Sequence, residues 1–120
     1  AHYRDRLINI HPSVLPSFTG LHTHRRALEA GVKVHGCTVH FVTAELDHGP
    51  IVIQAAVPVV DGDTEDTLAA RVLAQEHRIY PQAVRWFSEN RITITAQGTV
   101  QLKAARAPDG ALTSPARDAA

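Results

Sequence analysis

An asparagine and a histidine, Asn9 and His11, lie two residues apart in the apolar segment 6–11, RLINIH. Because side chains alternate along a strand, both leave the same face, at the carboxyl end where open α/β sheets place ligand sites. An asparagine amide can donate to a carbonyl oxygen, and a histidine can donate a proton or hold positive charge against a forming oxyanion. The alternative is a buried polar pair satisfied by hydrogen bonds, and spacing alone leaves both open.

Two carboxylates are further candidates for chemistry. Asp47 lies in the loop LDHGP, residues 46–50, between two predicted strands whose ends should lie near that of the first. A carboxylate there would orient a neighbouring histidine and favour its charged form, although a turn-forming aspartate before Gly49 fits the local sequence equally well. Glu76 lies in AQEH within a predicted helix, where a solvated glutamate is the ordinary interpretation.

The eight histidines raise the question of a metal site. His22 and His24 form an H-x-H pair, but that pair in a loop has no fixed geometry, and the sequence contains neither HExxH nor a second cysteine beside Cys37. We therefore expect no metal. We expect His35 and His77 to be ordinary surface histidines.

Two kinds of periodicity predict the elements that position these residues. Alternation predicts a first strand covered on both faces, followed by further strands. Helical spacing predicts two helices, the second with one apolar stripe of Leu68, Val72, Ile79, Ala83 and Phe87. The predicted strands are 6–11, 36–45, 51–60 and two short ones within 91–102 about Gln97 and Gly98; the predicted helices are 21–31 and 65–90. The fold class is therefore α/β.

Capping residues mark the ends of the predicted helices. Thr23 is a candidate N-cap and Gly31 a C-terminal glycine for the first helix, and Asp63 or Thr64 can cap the second. Pro81 should kink the second helix or split it.

Composition excludes several classes of function. The chain has 120 residues, no net charge and 44% hydrophobic residues, which suits one domain and gives no basic field for nucleic acid or anionic membrane. No apolar stretch approaches a membrane span, so we expect no membrane partner. A single cysteine favours a reducing cytoplasm. Residues 104–120 lack periodicity and are predicted to be a disordered tail after the portion 1–103.

The chain strongly resembles the glycinamide ribonucleotide formyltransferases of purine biosynthesis. The resemblance rests on N-x-H-P-S-x-L-P at residues 9–16, G-L-H-T-H at 20–24, E-L-D-x-G-P at 45–50 and QEHRIYP at 75–81. It implies a Rossmann-like mixed sheet flanked by helices. The implied reaction is formyl transfer from 10-formyltetrahydrofolate to the amino group of glycinamide ribonucleotide, without a metal.

The resemblance also assigns roles to individual positions. It implies that Asn9, His11 and Asp47 are catalytic. The implied substrate-binding residues are Leu73, Ala74, Gln75 and Glu76, the last at the ribose hydroxyls. The implied folate-binding residues are Asn9, Val42, Thr43, Ala44, Glu45, Leu46 and Asp47.

The resemblance begins partway through the family's domain. It therefore predicts that the chain is the C-terminal part of a single domain and that it is inactive alone, because the segment that holds the substrate phosphate lies earlier. It leaves a homodimer open. The alternatives are formyltetrahydrofolate deformylase, which uses water as acceptor, and a non-catalytic fragment that pairs with a partner chain.

Overall fold

The structure is a computed structural model that describes residues 7–118. In chain order the elements are β1 (Ile8–His11), α1 (Thr23–Ala30), β2 (Val34–Phe41), β3 (Ile51–Pro58), α2 (Glu65–Ser88), β4 (Ile92–Ile94) and β5 (Val100–Leu102). The chain contains both strands and helices, with α1 between β1 and β2 and α2 after β3, which confirms the predicted α/β class.

Three of the strands form one sheet in the order β1-β2-β3, and both pairings are antiparallel. Asn9 lies opposite His40, and His11 lies opposite Thr38. Because directly opposed residues share a face, these four polar side chains lie on one side of the sheet. Cys37 and its neighbours in alternation, Val39 and Phe41, lie on the other side.

The apolar face of the sheet packs against α2. The predicted stripe is confirmed, since four of its five residues are buried and the fifth, Phe87, is half-buried with its ring 6.1 Å from that of Phe41. The buried core consists of Ala27, Cys37, Val39, Val57, Leu68, Val72, Ile79 and Ala83. The expectation that β1 is covered on both faces is wrong for the described residues, because Leu7 and Asn9 are exposed.

The ends of the helices follow local chemistry. Thr64, one of the two predicted candidates, caps α2, and it does so in a capping box with Thr67. Helix α2 runs unbroken through Pro81, so the expected split does not occur. Gly31 ends α1 in a left-handed conformation, as predicted. The expected cap at Thr23 is wrong, because its hydroxyl donates to the Pro12 carbonyl and the residue is already the first of the helix.

After α2 the chain forms the predicted hairpin, β4 and β5, about a turn at Gly98 with a positive φ of 81°. Residues 103–118 form neither helix nor strand and are mostly exposed. Disorder of this tail stays a prediction, as does its separation from residues 1–103.

Candidate active site

His11, the last residue of β1, is buried with both ring nitrogens engaged. Its Nε2 lies 2.9 Å from the Phe18 carbonyl oxygen, and its Nδ1 lies 3.4 Å from Asp47 Oδ1. A carbonyl oxygen can only accept, so Nε2 carries a hydrogen and donates it. His11 thus joins the loop 12–22 that follows β1 to the carboxylate of a distant loop.

Asp47 reaches His11 because the loop after β2 folds back sharply. Its backbone takes a positive φ of 56°, and its side chain is only 6% exposed. A Cβ on Gly49 would lie 1.6 Å from the Phe41 carbonyl oxygen, so only glycine permits this close return. Asp47 Oδ2 accepts a 2.8 Å hydrogen bond from the Gly20 amide. Asp47 is therefore both a turn residue and an inward-facing carboxylate.

Thr38 anchors the beginning of the 12–22 loop. This fully buried residue lies opposite His11 on β2. Its hydroxyl donates to the Ser13 carbonyl at 2.7 Å and accepts from the Leu15 amide at 3.1 Å. The position of the loop around His11 therefore depends on a buried side chain of the sheet and not on the loop alone.

Asn9 and a second histidine complete the polar face. The Asn9 side chain projects from the same face of the sheet as that of His11. Because Asn9 is exposed, its amide is accessible. His40, opposite Asn9, is 3% exposed, and its Nε2 lies 3.9 Å from Asp47 Oδ1. Sequence reasoning gave His40 no role, although alternation with Thr38 already placed it on this face.

His35 contradicts the expectation of a surface histidine, since it is 1% exposed. Its Nε2 lies 3.2 Å from His24 Nδ1. Burial is the main cause that lowers the pKa of His35 to about 4, and electrostatic repulsion from His24 and His11 contributes to the same shift. Burial likewise lowers the pKa of His24, against the opposing effect of Glu76 and Glu65.

The four helix residues assigned to substrate lie near the middle of α2. Leu73 and Ala74 are exposed, whereas Gln75 and Glu76 are half-buried. The charge of Glu76 acts to raise the pKa values of both His24 and Cys37, although burial keeps that of His24 below its ordinary value. The structure brings His11 and Asp47 together, but the described contacts do not connect these four residues to that pair.

Cys37 is buried on the apolar face of the sheet. Burial, reinforced by the charge of Glu76, raises the pKa of this free thiol to about 11. A thiol with so high a pKa is protonated near neutral pH and is a poor nucleophile.

The segment 42–47 that joins β2 to Asp47 is largely open to solvent. Val42 is 37% and Leu46 70% exposed. Within it, the Thr43 hydroxyl donates to the Glu45 carbonyl at 3.0 Å.

Residues 7–118 contain no group of three or more histidine, cysteine, aspartate or glutamate side chains arranged to hold a metal. None of the helices in this range combines the length and the apolar character needed to cross a bilayer.

An α/β fold with a buried histidine–carboxylate pair at a strand end defines an acid–base site that can also stabilise an oxyanion. The family model described as Formyl transferase matches residues 1–84. The chain belongs to this family.

Individual relatives agree with the family match. The chain is 59% identical over 92 residues to phosphoribosylglycinamide formyltransferase of Escherichia coli, covering 77% of this chain and 43% of that protein. It resembles the crystal structure of the enzyme of that name from Anaplasma phagocytophilum with a TM-score of 0.85 and 48% identity, covering 88% of this chain and 52% of that one. A formyltetrahydrofolate deformylase from Pseudomonas syringae gives a TM-score of 0.81 at 33% identity, over 85% of this chain and 34% of that one. The chain spans less than half the length of the E. coli relative.

Proposed function

We propose that the protein transfers a formyl group from 10-formyltetrahydrofolate to the amino group of glycinamide ribonucleotide, a step of purine biosynthesis. The observation that carries the proposal is the buried contact between His11 and Asp47, 3.4 Å apart, on the face that Asn9 shares. Membership of the formyl transferase family and the high identity to enzymes named for this reaction support it.

His11 has the central role in this proposal. The bound folate supplies an activated formyl group, whose carbonyl oxygen becomes negatively charged when an amine attacks. A protonated His11 donates to that oxygen from Nε2, the nitrogen that now donates to the Phe18 carbonyl. Because Nε2 already donates to the Phe18 carbonyl, the reacting oxygen must replace that carbonyl as the acceptor.

Asn9 and Asp47 assist from either side of His11. Asn9 is exposed on the same face, so its amide can donate to the same oxygen. Asp47 orients the imidazole through its contact with Nδ1. The same carboxylate is placed to receive the proton that the amine loses, directly or through water.

We assign binding to two exposed segments. The folate ring would lie against the backbone of 42–47, next to Asp47, in keeping with the solvent exposure of most of this loop. The helix residues 73–76 would bind the sugar of the ribonucleotide, where the Glu76 carboxylate can accept from ribose hydroxyls. The ribose lies several bonds from the reacting amine, so these residues need not touch His11.

The remaining features of the proposal follow from the chemistry. No metal is required, because His11, Asn9 and Asp47 supply the charge and the proton transfer. A reducing cytoplasm fits the single cysteine, a buried free thiol. A homodimer remains part of the proposal only as an assembly to be measured.

Formyltetrahydrofolate deformylase is the second candidate, because a deformylase shares the fold closely. The same three polar residues could activate water in place of an amine. The higher identity to the ribonucleotide enzymes favours the amine as acceptor. A non-catalytic fragment that pairs with a partner chain is the third reading, and it predicts no activity in any assay.

One assay separates these functions. The full native polypeptide is incubated with 10-formyltetrahydrofolate, with and without glycinamide ribonucleotide, and both formylated ribonucleotide and formate are measured. We expect formylated ribonucleotide, formed only when the acceptor is present. Formate release without the acceptor would indicate a deformylase. Absence of both products from a folded protein would contradict formyl transfer.

A further inference from the structure

His40 is a buried group that the proposed mechanism does not yet use. It lies on the polar face of the sheet, opposite Asn9, and is 3% exposed. Among the described residues its Nε2 has no hydrogen-bond partner. A buried polar atom without a partner costs free energy, so this nitrogen calls for an explanation.

The other ring nitrogen determines what Nε2 can do. Nδ1 lies 3.0 Å from the Phe41 carbonyl oxygen, an atom that only accepts, so Nδ1 carries a hydrogen. In neutral His40, Nε2 is then an acceptor. It faces Asp47 Oδ1, also an acceptor, at 3.9 Å. Two facing acceptors cannot bond, but with one added proton they could form a hydrogen bond by closing from 3.9 Å to hydrogen-bond distance.

Asp47 Oδ1 thus lies between two imidazoles. His11 Nδ1 approaches it at 3.4 Å and His40 Nε2 at 3.9 Å. Among the described residues, Asp47 is the one whose carboxylate lies within 4.0 Å of a His40 ring nitrogen. From β1 the facing residues are Asn9, which is neutral, and His11, which reaches His40 through Asp47.

We propose that His40 is a positioning residue that shares one proton with Asp47 during the reaction, an inference that rests on the proposed formyl transfer. As the amine nitrogen bonds to the formyl carbon, its proton moves to the space between Oδ1 and Nε2. When the bond from the formyl carbon to the folate nitrogen breaks, the electron pair goes to that nitrogen and the proton follows it. The enzyme therefore ends the cycle with its original proton count.

An NMR measurement tests the contact without reference to activity. In the 15N-labelled protein at neutral pH, Asp47→Asn should shift the His40 ring nitrogen signals. Glu45→Gln is the matched control, because it removes a carboxylate that lies 3.9 Å from a different histidine, His48. His40 signals that do not respond to Asp47→Asn would overturn the proposal even if the enzyme proves active.

Kinetics then test the role in the full native polypeptide. His40→Phe should lower kcat by about tenfold or more while KM for both substrates stays within about threefold, because His40 touches neither substrate. In an Asp47→Asn background the same change should alter kcat by less than about twofold. His48→Gln, an exposed histidine next to Asp47, should leave kcat unchanged.

His40→Gln is the variant to measure if His40→Phe does not fold. Its amide can donate to Asp47 but cannot accept a proton, so its kcat should fall as well. A Gln variant at the parental rate, or a His40 effect that persists in full without the Asp47 carboxylate, would overturn proton sharing. If the parent protein itself forms no formylated ribonucleotide, the proposed function fails, and the NMR result still decides the contact.

Discussion

At the scale of single residues, the two nitrogens of His11 have different partners. Nε2 donates to a backbone carbonyl that a substrate oxygen could replace, whereas Nδ1 contacts a buried carboxylate held in turn by the Gly20 amide. A ring oriented from both sides keeps its geometry when one partner is exchanged. In the proposed mechanism, Nε2 therefore donates the proton and Nδ1 orients the ring.

We expect His11→Ala in the full native polypeptide to lower kcat by about a hundredfold or more with the fold intact, because a donor to the developing oxyanion is lost. Steady-state kinetics and circular dichroism measure the two quantities. His48→Ala, which removes an exposed imidazole, serves as the control. A well-folded His11→Ala protein with near-normal turnover would remove His11 from the mechanism.

The contact between His11 and Asp47 should appear as coupling. Asp47→Asn retains the shape but removes the negative charge, so kcat should fall by about tenfold or more. Adding His11→Ala to that variant should cost much less than it costs the parent, since the two groups act as a unit. Independent, additive effects on kcat would show that the 3.4 Å contact has no functional meaning.

At the scale of elements, β2 carries a buried histidine on each of its faces. His40 belongs to the polar face, and His35 lies on the other, against His24 of α1. The neutral His35 side chain therefore links the sheet to helix α1. Protonation of this residue should weaken the junction.

The His35 pKa gives this junction a pH dependence. Its pKa is lowered from 6.5 to about 4, so the unfolded chain binds the proton more readily. His35 therefore makes its full contribution to stability above pH 6.5. The free energy of unfolding declines as the pH falls toward 4, by on the order of 3 kcal/mol. Denaturant unfolding across this range should show that the free energy of unfolding of His35→Gln depends less on pH than that of the parent. His77→Gln, at an exposed site, should behave like the parent.

The N-terminus of α2 is held by an ion pair. Arg71 donates two hydrogen bonds to Asp63, at 2.8 and 3.0 Å, and this guanidinium holds the pKa of Asp63 well below its usual range. Asp63→Ala should lower the free energy of unfolding at neutral pH by about 2 kcal/mol, because it leaves a partly buried guanidinium unpaired.

The matched control is Glu65→Ala, which breaks an exposed contact to Arg25 at 3.9 Å and should change stability by no more than about 0.5 kcal/mol. Because the folded pKa of Asp63 is depressed, its contribution is present above the ordinary carboxyl range and is lost as the pH falls below it. Equal effects of the two substitutions would contradict this account.

At the scale of the whole molecule, the site lies at one end of a small sheet. Among the described residues β1 pairs with β2 alone, so its second edge has no partner strand. The chain spans 43% of the E. coli relative. Catalytic residues give rate only when both reactants are held in position, which can be worth roughly 7–11 kcal/mol.

We therefore expect a polypeptide limited to these 120 residues to transfer no measurable formyl group. A chimera that carries them in place of the matching segment of the E. coli relative should transfer it, and the same chimera with His11→Ala should not. Turnover by the 120 residues alone, at a rate similar to the chimera, would show that they position both substrates unaided.

The sequence by itself determined the elements and their faces. Alternation predicted that Asn9 and His11 share a side of β1, and helical spacing predicted the buried stripe of α2. Both depend on the geometry of a regular element, which repeats every two or about 3.6 residues and so can be read locally. The capping box at Thr64 and the glycine at the end of α1 are equally local.

The tertiary structure alone decided which groups meet. Asp47 lies 36 positions after His11, and its local sequence fitted a simple turn as well as a catalytic carboxylate. The sharp return at Gly49 and the bond from Gly20 bring it inward, and the same return places it beside His40. His35 looked like a surface residue because nothing in its neighbours along the chain specifies the helix that covers it. Contacts between loops depend on packing across the whole sheet, which no local pattern contains.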